Sequence, residues 1–108
     1  MGDFTDAGGK NHGYLRTSGG TFIAIDAPGA AETRAYGING AGQIVGAFKD
    51  ADVRFHGYLR TPEGTFTTID VPGAMGTGAD RITDAGQIVG DFQDARGKIH
   101  GYVTTPAR

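Results

Sequence analysis

An all-β fold of propeller type is predicted by three observations: a 44-residue repeat, four short strand-like segments in each repeat, and turn residues placed to join them as hairpins. Residues 12–55 begin HGYLRTSGGTFIAIDAPGA and end AGQIVGAFKDADVRF; residues 56–99 begin HGYLRTPEGTFTTIDVPGA and end AGQIVGDFQDARGKI. They align without a gap, and 26 of the 44 pairs are identical. Residues 100–108 open another copy with HGYVTT, and residues 1–11 match the end of one. The 108 residues thus form one repeat domain of about two and a half units, divided at 1–11, 12–55, 56–99 and 100–108.

In the first unit the segments AYGIN, QIVGAF, HGYLRT and GTFIAID are rich in Ile, Val, Phe, Tyr and Thr, the residues that suit a pleated, half-buried surface. No helical period interrupts them. Gly40-Ala41-Gly42 and Ser18-Gly19-Gly20 read as tight hairpin turns, and Asp50 to Phe55 as a slightly longer one. The longest link runs from Asp26 through Pro28 and Gly29 to Arg34. Because Pro28 cannot donate to a ladder, this link is expected to cross from one unit to the next. Each unit then reads as a four-stranded antiparallel meander, with AYGIN, or DRITD in the second copy, as its inner strand. A parallel β-helix is the rival, but its repeats are shorter and its turns make no hairpins.

The phase of the repeat predicts three strands, a complete blade, and three strands. Unfinished blades leave unpaired N–H and C=O groups that invite another chain. A homo-oligomer, dimer or trimer, is therefore the expected partner state.

Composition narrows the function classes. The net charge is −2 and the ten basic residues are scattered, so no basic stripe marks a nucleic-acid surface. No apolar run approaches the ~18 residues of a membrane span, and no signal peptide is legible at the N-terminus. The absence of cysteine removes disulfides, thiolate metal sites and cysteine nucleophiles. No G-x-S-x-G, P-loop, H-E-x-x-H or calcium-loop pattern is present.

Three blocks stand out: His56-Gly57-Tyr58, the stretch from Gly64 to Ala74, and Gly37-Ile38-Asn39 with Ala41 to Gly46, the Gly-Ile-Asn of the last being Arg81-Ile82-Thr83 in the second unit. In these the unit resembles the HAF repeat family of bacterial extracellular proteins, over essentially the whole chain. The resemblance implies a secreted bacterial parent array and assigns no catalytic residue.

Two sets of residues could carry chemistry. His12, His56 and His100 stand 44 apart, and Asp6, Asp50 and Asp94 precede them by six. Imidazole and carboxylate are ligands for a divalent metal such as zinc, so the six residues define a candidate metal site. A trio of imidazoles with an open position could activate water for ester or phosphoester hydrolysis. The plainer reading is that each Asp opens a hairpin and each His begins a strand, copied with the unit. Third-strand positions in adjacent blades are moreover too far apart to share one ion, so a shared site would need an interface between chains.

The second set lies where the crossings and the Asp-to-His hairpins project from one end of the blades. It comprises Asp26, Glu32, Thr33, Arg34, Asp50, Asp52, Arg54 and His56, with Asp70, Asp94, Arg96 and His100 as later counterparts, a polar face suited to sugar or peptide or simply to solvent. Asp80, Arg81 and Asp84 break the repeat at the inner strand, where the first unit has Tyr36, Gly37 and Gly40. Asp26, Arg34, Asp70, Asp80 and Arg81 are therefore the candidate ligand-binding residues, with an ion pair or drift of one copy as the simpler reading of the last two. The repeated aromatics, among them Tyr14, Tyr58, Phe48 and Phe66, are expected to pack between units rather than to stack on sugars. The expected role is structural or small-ligand binding, with a metal-dependent hydrolase as the alternative.

Overall fold

The structure, a computed structural model, describes residues 2–16 and 19–104, with Arg16 described by its backbone alone. Thr17 and Ser18, which belong to one of the predicted turns, lie outside the described residues. The described residues form ten strands and no helix.

Three antiparallel sheets follow one another along the chain. The first contains β1 (Gly2–Thr5), β2 (Asn11–Arg16) and β3 (Phe22–Ile25) in sequence order. The second is the meander β4 (Glu32–Ile38), β5 (Ile44–Lys49), β6 (Phe55–Arg60) and β7 (Phe66–Ile69). The third holds β8 (Gly76–Ile82), β9 (Ile88–Gln93) and β10 (Ile99–Val103), again in order. All-β character and the hairpin connectivity are as the sequence predicts. Among the described residues the sheets form no closed barrel, and extents of 44 × 37 × 18 Å describe a flattened body.

The crossings are shorter than the sequence suggests. Ala27-Pro28-Gly29-Ala30 closes a turn through the Ala30 N–H to Ala27 carbonyl bond (3.1 Å), with Gly29 at φ 73°. Proline at the second turn position and a positive-φ glycine at the third are the chemistry of a type II turn. Ala31 then donates to the Lys49 carbonyl (2.7 Å), and the ladder begins at Glu32 opposite Lys49. Glu32, Thr33 and Arg34 are thus strand residues rather than part of a polar loop face. Thr33 is 1% exposed, and its hydroxyl accepts the Ala27 N–H (3.1 Å), tying the crossing to the strand it enters. Thr77 does the same for Val71 (3.2 Å).

Each inner strand contains a bulge that period-2 reading misses. Ala35 pairs with Gly46 but Gly37 with Val45, which leaves Tyr36 extra; Ala79 pairs with Gly90 and Arg81 with Val89, which leaves Asp80 extra. Two residues before each bulge a carbonyl, that of Arg34 or Gly78, stands over the glycine of the neighbouring strand, Gly46 or Gly90. Tyr58 reaches across β5 and donates its hydroxyl to the Arg34 carbonyl (2.8 Å), as Tyr102 does to Gly78 (2.8 Å). A Cβ on Gly46 would collide with that carbonyl, so only glycine lets the tyrosine pass over the strand. Burial pushes the Tyr58 phenol above its ordinary range, and Tyr102 is raised to about 12 by burial and then by Asp80 and Asp91.

Two apolar clusters join the sheets, and a shift of 44 residues relates Leu15, Ile25, Ala35 and Ile44 of the first to Leu59, Ile69, Ala79 and Ile88 of the second. In the first, Ile25 and Leu15 of the first sheet meet Ala35, Ile44 and Tyr58 of the second, flanked by Phe48 and Phe66. In the second, Ile69, Leu59 and Val45 of the second sheet meet Ala79, Ile82 and Ile88 of the third. Tyr58, Ile44, Val45 and Ala79 are fully buried, the positions where apolar burial stabilises most. Tyr58, Phe48 and Phe66 therefore pack between units as predicted, whereas their counterparts Phe4 and Phe22 are exposed.

Candidate functional site

The six-residue spacing from Asp to His resolves into a clamp on each hairpin. Asp50 begins the β5–β6 turn: its Oδ1 accepts the N–H groups of Asp52 (2.9 Å) and Arg54 (3.0 Å), which satisfies two donors the ladder leaves free. Its other oxygen, Oδ2, lies 2.6 Å from Nε2 of His56 at the start of β6. The opposite nitrogen, Nδ1, lies 2.7 Å from Oδ1 of Asp70, just beyond β7. One imidazole thus joins the hairpin turn to the start of the crossing.

The first unit repeats this geometry. His12 lies 2.7 Å from Asp6 and 2.6 Å from Asp26. In the third sheet His100 meets Asp94 (2.8 Å). Each imidazole also stacks on the phenylalanine opposite it, with centroids 5.1 Å apart for Phe4 and His12, 5.1 Å for Phe48 and His56, and 5.0 Å for Phe92 and His100.

Ionised carboxylates can only accept, so an imidazole held between two of them donates from both nitrogens and is an imidazolium. The titration directions agree. The bonds to Asp6 and Asp26 raise His12 above 6.5. Burial of His56 acts downward, but Asp50 and Asp70 outweigh it and the net shift is upward. The bond to histidine, followed by the turn amides, holds Asp6, Asp50 and Asp94 below 3.8.

Of the candidate metal ligands, each Asp is brought to its own His, and the three histidines sit on three different sheets. Among the described residues no group of three or more His, Cys, Asp or Glu is arranged to hold a metal ion. Metal coordination by His12 or His56 would require a ring nitrogen to give up both its proton and its carboxylate.

The candidate ligand residues separate. Asp26 and Asp70 are the second arms of the clamps, a role whose signal was present in the sequence as the 14-residue spacing His12 to Asp26 and His56 to Asp70. Arg34 leaves the polar end and points toward Asp3 and Glu32, 4.0 Å from each. Asp80 and Arg81 form no ion pair among the described residues, and Asp80 borders a cleft between the second and third sheets. Asp84 instead accepts the Gly40 N–H (2.7 Å), while Asn39 donates to the Thr83 carbonyl (3.0 Å). These two bonds zip equivalent turns of adjacent units together. Sequence reading missed the cleft and Asp91 beside it; the signal was the pair of glycines, Gly76 and Gly78, in places where the first unit has Glu32 and Arg34.

Comparison of the chain with protein-family models, curated proteins and solved structures found no match.

Proposed function

We propose that this chain is a structural repeat module of β-propeller type that assembles with further copies of itself. The observation that carries this reading is the shared apolar plan of its two internal junctions, together with what lies on the two outward faces. Phe4, Tyr14 and Phe22 on the first sheet are the counterparts of Phe48, Tyr58 and Phe66, which the second sheet packs toward its neighbour. Yet Phe4 is 43% exposed and Phe22 65%, and with Tyr14 and Ala24 they line an apolar groove. At the other end Val89 and Val103 are the counterparts of Val45 and Leu59, and they are 41% and 61% exposed where Val45 is wholly buried. One outward face is therefore the complement of the other, by the same contacts that hold the chain together internally.

Such a contact is head-to-tail and generates either a ring or a filament, according to whether its rotation closes. The bonds that zip equivalent turns of adjacent units together support a ring of blades. The resemblance to the HAF extracellular repeats supports the same reading, with a secreted bacterial array as the parent. In this role the Asp–His–Asp clamps at His12 and His56 and the Asp94–His100 pair fix their hairpins rather than perform a reaction.

Sedimentation equilibrium tests the assembly directly. The expected mass at micromolar concentration is a small multiple of 11.2 kDa, and a monomer at that concentration overturns the proposal.

A further inference from the structure

The two junctions share a plan but differ at their inner corner. Where the first sheet meets the second, Arg34 of β4 reaches toward Asp3 of β1 and toward Glu32, and Lys49 of β5 lies 3.5 Å from Glu32. Two cations and two carboxylates fill that corner and balance. Where the second sheet meets the third, the equivalent positions hold Gly78, Ala47, Gly76 and Gln93. All four charged side chains are gone together.

What replaces them is an open cleft of about 350 Å³, within the range of small-molecule sites. Its walls include Tyr36, Phe55 and Phe92, and it gains two carboxylates: Asp80 stands where the first unit has Tyr36, and Asp91 where it has Ala47. A Cβ placed on Gly78 would lie 3.5 Å from Asp91 Oδ1 and 4.0 Å from Asp80 Oδ1. The side chain that the first unit carries at this position, an arginine, would thus set out from between the two carboxylates.

Neither Asp80 nor Asp91 has an ion pair with a described residue. Arg81 is exposed on the same strand and offsets Asp80 only at a distance; burial and then Asp91 raise the Asp80 carboxyl above its ordinary value. The second junction therefore holds negative charge, aromatic walls and space, and lacks the guanidinium that occupies the first.

We propose that this cleft binds an alkylguanidinium group, with Asp80 and Asp91 as its anionic anchors and Tyr36, Phe55 and Phe92 as its walls. A planar fork of five donors engages two carboxylates at once and lies flat against aromatic faces, which a compact ammonium does less well. The site sits within one chain and does not depend on assembly.

The test is titration of the intact chain, followed by amide NMR, with N-acetylarginine amide and with its neutral isostere N-acetylcitrulline amide. Expected are saturable shifts at Gly76, Gly78, Asp80 and Asp91, with the citrulline compound weaker by about tenfold or more, because charge-assisted bonds are lost. Methylguanidine in a parallel arm separates the sources: binding as tight as the arginine compound assigns a free small cation, and weaker binding assigns an arginine side chain on a peptide. Gly78→Arg supplies the guanidinium from the chain itself and is expected to abolish binding while raising Tm. The double variant Asp80→Asn, Asp91→Asn is expected to weaken binding by about tenfold or more with circular dichroism unchanged. Equal binding of the citrulline compound, absence of saturable shifts in the cleft, or undiminished binding by Gly78→Arg overturns the proposal. Mass measured on the same samples keeps this result separate from the assembly test.

Discussion

Gly46 and Tyr58 act as one device. Tyr58 satisfies the Arg34 carbonyl that stands over Gly46, and Gly46 leaves the room for it to do so. Tyr58→Phe removes the donor and leaves a buried acceptor unpaired, so a loss of about 1–3 kcal/mol is expected in urea unfolding. Gly46→Ala forces the carbonyl or the ring to move and is expected to cost about 3 kcal/mol or more. Val53 presents the opposite case. It sits at φ 66° in the β5–β6 turn, where the other two copies have Gly9 and Gly97 at φ 84°. A β-branched residue is strained in the left-handed region, and Val53 is 69% exposed, so little packing offsets the strain. Val53→Gly is expected to raise stability by about 1 kcal/mol, read as an increase in the urea midpoint with an unchanged slope.

At the scale of the hairpin, the Asp–His–Asp clamp makes stability depend on pH in both directions. His12 and His56 titrate above 6.5 in the folded chain, so their contribution is complete below that value and is lost as pH rises through the folded pKa. Asp6, Asp50 and Asp94 titrate below 3.8, so theirs is complete above that value and is lost as pH falls through the folded pKa. Both are in full force between 3.8 and 6.5. The urea midpoint is expected to hold a plateau in that window and to fall on either side. The double variant His12→Gln, His56→Gln is expected to flatten the alkaline limb and leave the acid limb partly in place. A midpoint that rises between neutral and mildly alkaline pH in the parent chain would count against the clamp as a stabilising element. The clamp partners are half-exposed, so salt is expected to weaken the effect.

For the whole molecule, the same apolar plan is used twice inside the chain and is offered at both outward faces. Phe22→Lys changes a side chain that is 65% exposed, so it is expected to leave thermal unfolding of the protomer within about 0.5 kcal/mol of the parent while abolishing assembly. Val103→Lys, at the opposite face, is expected to do the same. Mixing the two variants cannot restore a closed ring, because every head-to-tail ring needs both faces of each copy intact, but it is expected to form a single heterodimer through the unaltered faces. Sedimentation of the separate and mixed variants distinguishes the proposed head-to-tail contact from a symmetric one.

The order of strands, the hairpins and the internal repeat could be read from the sequence, because glycine, proline and β-branched residues act locally and the 44-residue period copies them in phase. The separation of Asp50 and His56 was visible as well, since one hairpin brings the two together. Other features depended on neighbours remote in the chain. The bulges at Tyr36 and Asp80 appear only when a partner strand sets the register; Asp70 reaches His56 because β7 pairs with β6; and Thr33 is buried because the crossing folds over it. The cleft beside Asp80 and Asp91 is the clearest instance. Gly76 and Gly78 look like ordinary turn-formers in a line of text, and they line a cleft only where two sheets meet and the arginine of the preceding unit has no counterpart. Local conformation is encoded residue by residue, whereas a cavity is a relation between surfaces that only tertiary packing brings face to face.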